Sequence, residues 1–343
     1  MNGSVTLLEP AEGPAWDAFV RESPSATFFH LSGWRRVIET AFGHRTFYLV
    51  ARRRGEICGV LPLTQVKSLL FGNSLISNAF CVQGGIIADD AATYSTLEAE
   101  AIRIATELKV GCIEFRSQDC TEPRWQMRTG LYATFRRQIA PDIEAGMKAI
   151  PRKQRAVVRK GIASGLRAEI DENVERLHDI YAQSVRQLGT PVFSARYFQL
   201  LKDEFGQACE ILTVVRESRP IASVLSFYFR DAVLPYYGGG LQEARVLGGN
   251  DFMYWELMRR ACERGFRVFD FGRSKIGTGS YEFKRNWGFE PTPLGYAFYL
   301  VNSRDIPDNN PLNSKYKVAI GLWRRLPLSL TKILGPLIVR SIG

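Results

Sequence analysis

The sequence predicts a mixed α/β (α+β) fold in two related domains with mixed, largely antiparallel sheets. The prediction rests on the order of elements and on length. Antiparallel strands lie between flanking helices, and that order recurs once at a period of well over a hundred residues, too long for a solenoid repeat. A chain of 343 residues also suits two domains of ordinary size.

In the first half, Val5 to Leu8 reads as a strand, and Glu12 to Glu22 as a helix with Trp16, Phe19 and Val20 on one face. Ser32 is placed to cap a helix from Gly33 to Ala41. Thr46 to Ala51 and Glu56 to Val66 form a hairpin around Arg52-Arg53-Arg54-Gly55, and a strand pair follows between Leu75 and Ala88. Ala91 to Leu108 is an amphipathic helix, with a strand from Gly111 to Arg116 after it.

The second half repeats the order. Leu166 to Ile170 is a strand, Asn173 to Gln187 and Tyr197 to Phe205 are helices, and Glu210 to Val215 pairs with Ile221 to Phe229. Val233 to Tyr237 adds a strand closed by Gly238-Gly239-Gly240. Asp251 to Arg264 is a helix that Gly265 stops.

Composition is that of a soluble globular protein, 45% hydrophobic and 23% charged. The longest uncharged run, Ser68 to Ala88, holds Asn73, Asn78, Gln83 and three glycines, which suits strands and turns rather than a membrane span. The first residues lack the basic and apolar regions of a secretory signal. The six cysteines form no CxxC pair, which favours reduced thiols in the cytosol. His30, His44 and His178 do not cluster with cysteines, so no metal site is expected. A net charge of +10 fits a nucleic acid, an anionic lipid or a phosphorylated small molecule without choosing among them. Lys148 to Arg167 carries seven cations and no acid, with Arg152, Arg155 and Arg159 spaced for one helical face. A polyanion site and a solvated helix both fit that run.

The chemistry concentrates between Phe266 and Leu300. Phe266 to Phe271 reads as a buried strand ended by Gly272, followed by a loop with Arg273, Ser274, Lys275 and Gly277-Thr278-Gly279. Tyr281-Glu282-Phe283-Lys284-Arg285 then packs cations beside aromatics. Cations, hydroxyls and glycines past a strand's C-terminal end suit an anionic or acyl substrate, the plainer alternative being a solvated loop. Acyl transfer needs deprotonation of the nucleophile, donors for an oxyanion and in-line substrates. Lys284 is the candidate cation, Asp270 a proton acceptor or an acid capping backbone, and Tyr236 and Tyr237 hydrogen-bond donors or packing residues. Arg273 and Ser274 are candidates for substrate positioning. No residue demands the role of general base. Walker, dinucleotide and GxSxG motifs are absent.

The stretches PRKQRAVVRKGI, RQLGTPVFSARYF, VLPYYGGG, NDFMYWELMRRACERG and FDFGRSKIGTGSYEFKRNWGFEP resemble the FemAB-like acyltransferases, and more narrowly those associated with the exosortase/PEP-CTERM system. The resemblance implies two tandem GNAT-like domains and acyl transfer, from aminoacyl-tRNA to a cell-wall precursor in the best-understood members. By the same resemblance Phe283-Lys284 matches a cleft Phe-Lys pair and Tyr237 a cleft tyrosine. Arg36, beside Trp34, matches a lysine that binds substrate phosphate. In the family's Gly-x-x-x-Arg-x-x-x-Tyr-Phe pattern this chain has Phe193 at the arginine position, which argues against a nucleotide-linked precursor. The Arg/Gln-x-x-Gly-x-Gly/Ala loop by which GNAT enzymes hold CoA pyrophosphate is not matched by Arg245 to Asn250 or by Arg273 to Gly279.

The resulting expectation is a cytoplasmic acyl- or aminoacyltransferase of envelope or exopolysaccharide biosynthesis. Its domains are 1–147, 148–301 with the main cleft, and a C-terminal segment 302–343. The donor is aminoacyl-tRNA or acyl-CoA, and the acceptor an amine or hydroxyl on an anionic molecule. The alternatives are a CoA-dependent N/O-acyltransferase on a sugar or amine, and a non-catalytic accessory protein with a degenerate cleft. In Lys317 to Gly343 every charge is positive, and Pro327 and Pro336 divide the segment into short pieces. These suit either packing on the first domain or an anionic membrane surface.

Overall fold

A computed structural model describes residues 4–68, 72–117, 122–307 and 314–342. The chain divides into two compact units. The first comprises Met1–Leu131, Leu294–Asn309 and Arg340–Gly343, and the second Tyr132–Pro293 and Asn310–Val339.

The first unit runs β1 (Ser4–Leu7), α1 (Gly13–Glu22), α2 (Gly33–Phe42), β2 (Arg45–Arg53), β3 (Glu56–Ser68), β4 (Gly72–Ser77), β5 (Ile87–Ala88), α3 (Ala91–Glu107) and β6 (Cys112–Phe115). β1 to β4 pair antiparallel in order, and β4 pairs β6 in parallel. The expected hairpin turns on Arg54 and Gly55, both with positive φ, as a tight two-residue turn demands. Ser32 does not cap α2 with its side chain; its backbone N–H instead donates to Asp17 Oδ1 at 2.7 Å. Leu49, Leu61, Leu63, Leu75 and Ile113 of the strands pack against Leu97, Ala101 and Ile104 of α3.

β7 (Gln126–Gln138), which the sequence pattern did not reveal, carries the chain into the second unit. There follow α4 (Ile143–Ala149), α5 (Arg152–Ala163), β8 (Arg167–Asp171), α6 (Glu175–Leu188), α7 (Ala195–Phe205), β9 (Cys209–Arg216), β10 (Arg219–Phe229), β11 (Ala232–Gly240), α8 (Gln242–Leu247), α9 (Gly249–Glu263), β12 (Val268–Lys275), α10 (Gly279–Asn286) and β13 (Pro291–Leu300). The sheet order is β7-β12-β11-β10-β9-β8, antiparallel except for the β11–β12 pair. β13 is divided between the units, and from Leu294 on it belongs to the first, where it pairs with β6.

Two expectations change here. The strand after Gly265 does not end at Gly272. It continues through a bulge to Lys275, so Arg273 and Ser274 are strand residues rather than loop residues. The Tyr281 to Arg285 motif lies within α10. The C-terminal segment does not act as one piece: its helices α11 (Ser314–Arg325) and α12 (Leu328–Val339) pack on α6 of the second unit, whereas Arg340–Gly343 belongs to the first. Arg186 donates to the Leu326 carbonyl at 2.9 Å, and Ile320 Cγ2 lies where a Cβ on Gly189 would come within 2.4 Å. No helix among the described residues is long and apolar enough to cross a membrane.

Candidate functional site

The second unit opens between two parallel strands. β11 and β12 are in register only at Ala232↔Val268 and Val233↔Phe269. β11 continues to Gly240 and β12 to Lys275 unpaired with each other. Each strand carries a bulge just past the point of parting. On β11, Leu225↔Tyr237 is followed by Ser226↔Pro235, so Tyr236 is the extra residue. On β12, Asp270↔Arg136 is followed by Gly272↔Phe135, so Phe271 is the extra residue. Bulges twist and re-aim a strand, and here they lie on the two strands that separate. Pro235 is the sequence signal that was missed, because a proline within a sheet is tolerated at an edge or a bulge.

The β12 side is held by a charged clamp. Lys284 projects from α10 and donates to the carbonyls of Phe271, Gly272 and Arg273 at 2.6, 3.0 and 3.1 Å. An ammonium has three N–H donors, and each has a carbonyl. The rings of Phe135 and Phe271 lie 5.4 and 5.8 Å from its nitrogen. Burial lowers the Lys284 pKa to about 7; the Asp270 charge acts to raise it and the Arg273 charge to lower it. Asp270 Oδ1 accepts the Gly272 N–H at 2.8 Å, where φ of +63° makes glycine the undemanding choice. Burial pushes the Asp270 carboxyl up, against the opposing effects of that hydrogen bond and of Arg136 and Lys284.

The β11 side is walled by aromatic rings. The Tyr237 hydroxyl is buried and lies 2.8 Å from the Tyr197 hydroxyl. Tyr181, Phe193, Phe198 and Tyr236 meet its ring edge-on at 4.8 to 5.9 Å. Burial is the first cause that carries the Tyr237 pKa well above 10. Phe193 stacks on Tyr197 at 4.6 Å, so its position now completes an aromatic box. Gly239 lets α6 approach, since a Cβ there would meet Ser184 Cβ at 2.6 Å. Tyr197, Tyr181 and Ser184 were not singled out in the sequence; they lie on helices whose apolar spacing gives no hint of a shared tyrosine partner.

The other candidates scatter. Arg273 lies 4.5 Å over the Tyr132 ring, and Ser274 is buried with its hydroxyl unbonded. Phe283 packs on Tyr254 and Trp287. Trp34 and Arg36 belong to the first unit. Trp34 is fully buried, with its indole donating to the Phe28 carbonyl at 3.2 Å, so the ring is a core residue there; Arg36 is exposed. On α5, Arg152 and Arg159 are exposed, and Arg155 is half-buried with a 3.4 Å bond to the Lys148 carbonyl.

The start of α9 is closely packed against α5, so that a Cβ on Gly248 would meet the Val157 carbonyl at 2.7 Å. Asp251, in the first turn of α9, accepts the Trp287 indole N–H at 2.9 Å and the Gln154 amide at 3.5 Å. Burial raises its pKa. A carboxylate in the first turn opposes a second anion at that helix end.

The first unit has the corresponding parallel pair, β4 and β6, but its own chain fills the space beyond. Gly84 N–H donates to the Arg116 carbonyl at 3.1 Å, and the Arg116 guanidinium donates to the Cys81 carbonyl. Tyr296 donates to the Val82 carbonyl at 2.7 Å. A cavity of about 360 Å³ in the second unit, lined by Ile139, Trp255, Met258, Cys262 and Phe269, lies by the paired start of β12 rather than at the opening. Among the described residues no His, Cys, Asp and Glu cluster could hold a metal ion.

A tandem α/β chain whose sheet parts between two bulged parallel strands has the fold of GNAT-type acyltransferases. Residues 147–285 match the family model described as Acetyltransferase (GNAT) domain. Over the whole chain the fold is similar to that of FemX, at 16% identity and a TM-score of 0.70, covering 87% of this chain and 98% of that one. It is also similar to a tandem GNAT protein from the clavulanic acid biosynthesis pathway, at 11% identity and a TM-score of 0.56, covering 89% and 100%. The C-terminal domain of a protein assigned as a lysylphosphatidylglycerol synthetase, from Agrobacterium fabrum, matches at 13% identity and a TM-score of 0.56, covering 84% and 91%. No curated protein sequence matches the chain.

Proposed function

We propose that the protein is an acyl- or aminoacyltransferase that works in the β11–β12 opening of its second unit and acylates an amine or hydroxyl of an anionic envelope or exopolysaccharide precursor. The observation that carries this reading is the two-pair register of β11 and β12 with a bulge on each strand. On β12 the carbonyls of Phe271 to Arg273 are held by Lys284 and the Gly272 N–H by Asp270, so the edge open to an extended, amide-bearing donor is that of β11 beyond Val233, where β12 has parted from it. N–H groups along that β11 edge then donate to the oxyanion of the tetrahedral intermediate, each worth ~3–4 kcal/mol when fixed in place. Lys284 and Asp270 act as positioning residues that fix β12, and the Lys284 charge favours developing negative charge nearby. Tyr237 shapes the opposite wall. No residue is assigned as general base: the acceptor amine attacks the acyl carbon, the bond to the donor breaks, and the amine proton passes through a substrate group or water to the departing donor atom.

Aminoacyl-tRNA is the donor we favour over acyl-CoA. At the α9 N-terminus, where a pyrophosphate would be received, Val157 packs closely on Gly248 and the Asp251 carboxylate stands in the first turn, both of which oppose an anion. The outer face of α5 exposes Arg152, Lys153, Arg159 and Lys160, which suits a polyanion. The likeness to FemX and to the lysylphosphatidylglycerol synthetase domain supports an envelope acceptor. A cytoplasmic site of action fits six cysteines that form no CxxC pair.

Purified protein incubated with isotope-labelled aminoacyl-tRNAs, or with a panel of acyl-CoAs, and with anionic amino-sugar and lipid-linked precursors should yield an acylated product by mass spectrometry. Turnover should be lost in Lys284→Ala while circular dichroism is unchanged. Transfer from CoA esters alone would replace the donor. Absence of transfer from every donor by folded protein would make the chain a binding module.

A further inference from the structure

We infer that the outward face of α11 and α12 docks this protein on an anionic lipid surface. α12 is amphipathic in the inverted sense. Its small residues face the protein: Thr331 is 1% exposed, and a Cβ on Gly335 would meet the Val192 carbonyl at 2.7 Å. Its aliphatic residues Leu330, Ile333, Leu334 and Leu337, at i, i+3, i+4 and i+7, face outward and are 43, 65, 40 and 64% exposed. On α11, Val318 and Leu322 lie one turn apart at 81 and 63% exposed, while Trp323 faces inward. An aliphatic stripe at helical spacing normally marks the buried face of a helix. Left outside, a contiguous stripe of this kind marks an interaction surface.

Charge selects the occupant. The sequence from Ser314 to Val339 holds Lys315, Lys317, Arg324, Arg325 and Lys332, and no Asp or Glu. Arg324 and Arg325 are exposed at the end of α11, while Lys332 pairs with Asp179 at 2.5 Å. A second copy seated by two-fold symmetry would set these cations against themselves. Anionic headgroups meet them with opposite sign while the acyl boundary takes the leucines. Helices of 12 residues each lie in such a boundary rather than crossing it. Binding of this kind needs no turnover, so its test stands apart from that of acyl transfer.

The full chain is sedimented with phosphatidylcholine vesicles made with or without phosphatidylglycerol. It should pellet with the anionic vesicles, less at high salt, and stay in solution with the neutral ones. Leu322→Ser, Ile333→Ser and Leu337→Ser together should weaken binding by roughly tenfold or more. Arg325→Gln should weaken it about fivefold. Leu322, Ile333, Leu337 and Arg325 are exposed, so melting temperature should not move in these variants; Arg324 is kept, because it donates to the Leu188 carbonyl at 3.2 Å. Wild-type protein that ignores anionic vesicles, or a triple variant that pellets like wild type, overturns the inference. So does a dimer in light scattering that the triple variant dissolves, because it assigns the face to a second copy.

Discussion

The ammonium nitrogen of Lys284 lies 2.6 Å from the carbonyl oxygen of Phe271, the residue that bulges out of the β7–β12 ladder. A helix thirteen positions further along the chain thus holds the strand where it has left its parallel neighbour. The charge that does this is costly, because burial lowers the Lys284 pKa to about 7.

The sign of the pH effect follows from that pKa. An unfolded lysine titrates near ~10.4, so between about 7 and about 10 the unfolded chain binds the extra proton and stability rises with pH. Below pH ~7 both states are charged and the desolvation cost is present in full. The urea midpoint of the wild type should rise from pH 7 to pH 9 relative to that of Lys284→Met. Parallel profiles for the two proteins would show that the lysine is not titrating in the folded state.

Asp251 gives a prediction of the same kind at an acid. Its folded pKa is raised by burial, so its contribution to stability is greatest below the unfolded value and declines as pH rises through the folded one. Asp251→Asn keeps an oxygen for the Trp287 indole and removes the buried charge; it should lie within ~1 kcal/mol of wild type at neutral pH. Asp251→Leu leaves that N–H buried and unpaired, at a cost of about 1–3 kcal/mol. Identical melting temperatures for the two variants would mean that the 2.9 Å bond contributes nothing.

Tyr237 and Tyr197 share one hydroxyl–hydroxyl bond in an aromatic box. Each Tyr→Phe change should cost about 0.5–1.5 kcal/mol, and the double variant should cost less than the sum, since the second change removes a bond already broken. Strict additivity in chemical denaturation would sever the pair. Transfer activity in Tyr237→Phe should stay within severalfold of wild type, because the hydroxyl faces Tyr197.

Much of this fold could be read in the sequence because apolar spacing reports helices and strands directly. The Phe269/Phe271 alternation and the Gly265 stop led straight to β12, and Gly265 indeed has positive φ. The bulge at Phe271 was not legible. An inserted residue does not alter local composition, so Gly272 read as the end of a strand that continues to Lys275. β7 was missed for a related reason: Arg128, Arg136 and Arg137 interrupt the alternation, and Arg137 is accommodated by its bond to the Trp287 carbonyl at 3.1 Å and by the Phe289 ring. Lys284 was found through its neighbours Phe283 and Trp287, yet its carbonyl partners depend on tertiary placement that no local pattern encodes. The same limit applied to Trp34, named with Arg36 through the family resemblance: its ring is fully buried in the first unit.

The last prediction concerns the outer face of α5. Val158 and Gly161 turn inward, Gly161 so closely that a Cβ there would meet Phe252 Cβ at 2.9 Å. Arg152, Lys153, Arg159 and Lys160 remain exposed, and among the described residues none of the four is in an ion pair. A helix face with one sign of charge and no acid to neutralise it attracts a polyanion over a Debye length of ~8–10 Å. Arg155 is left out of the test because its bond to the Lys148 carbonyl joins α5 to the chain before it. Arg152→Glu, Arg159→Glu and Lys160→Glu together should leave the stability within ~1 kcal/mol of wild type, as exposed substitutions do. Fluorescence anisotropy with total tRNA across a salt series should give a log–log slope for wild type that the triple variant reduces by roughly 0.7–0.9 for each phosphate it no longer neutralises. A variant with unchanged affinity and slope would remove α5 from tRNA recognition and weaken the case for an aminoacyl-tRNA donor over a CoA ester.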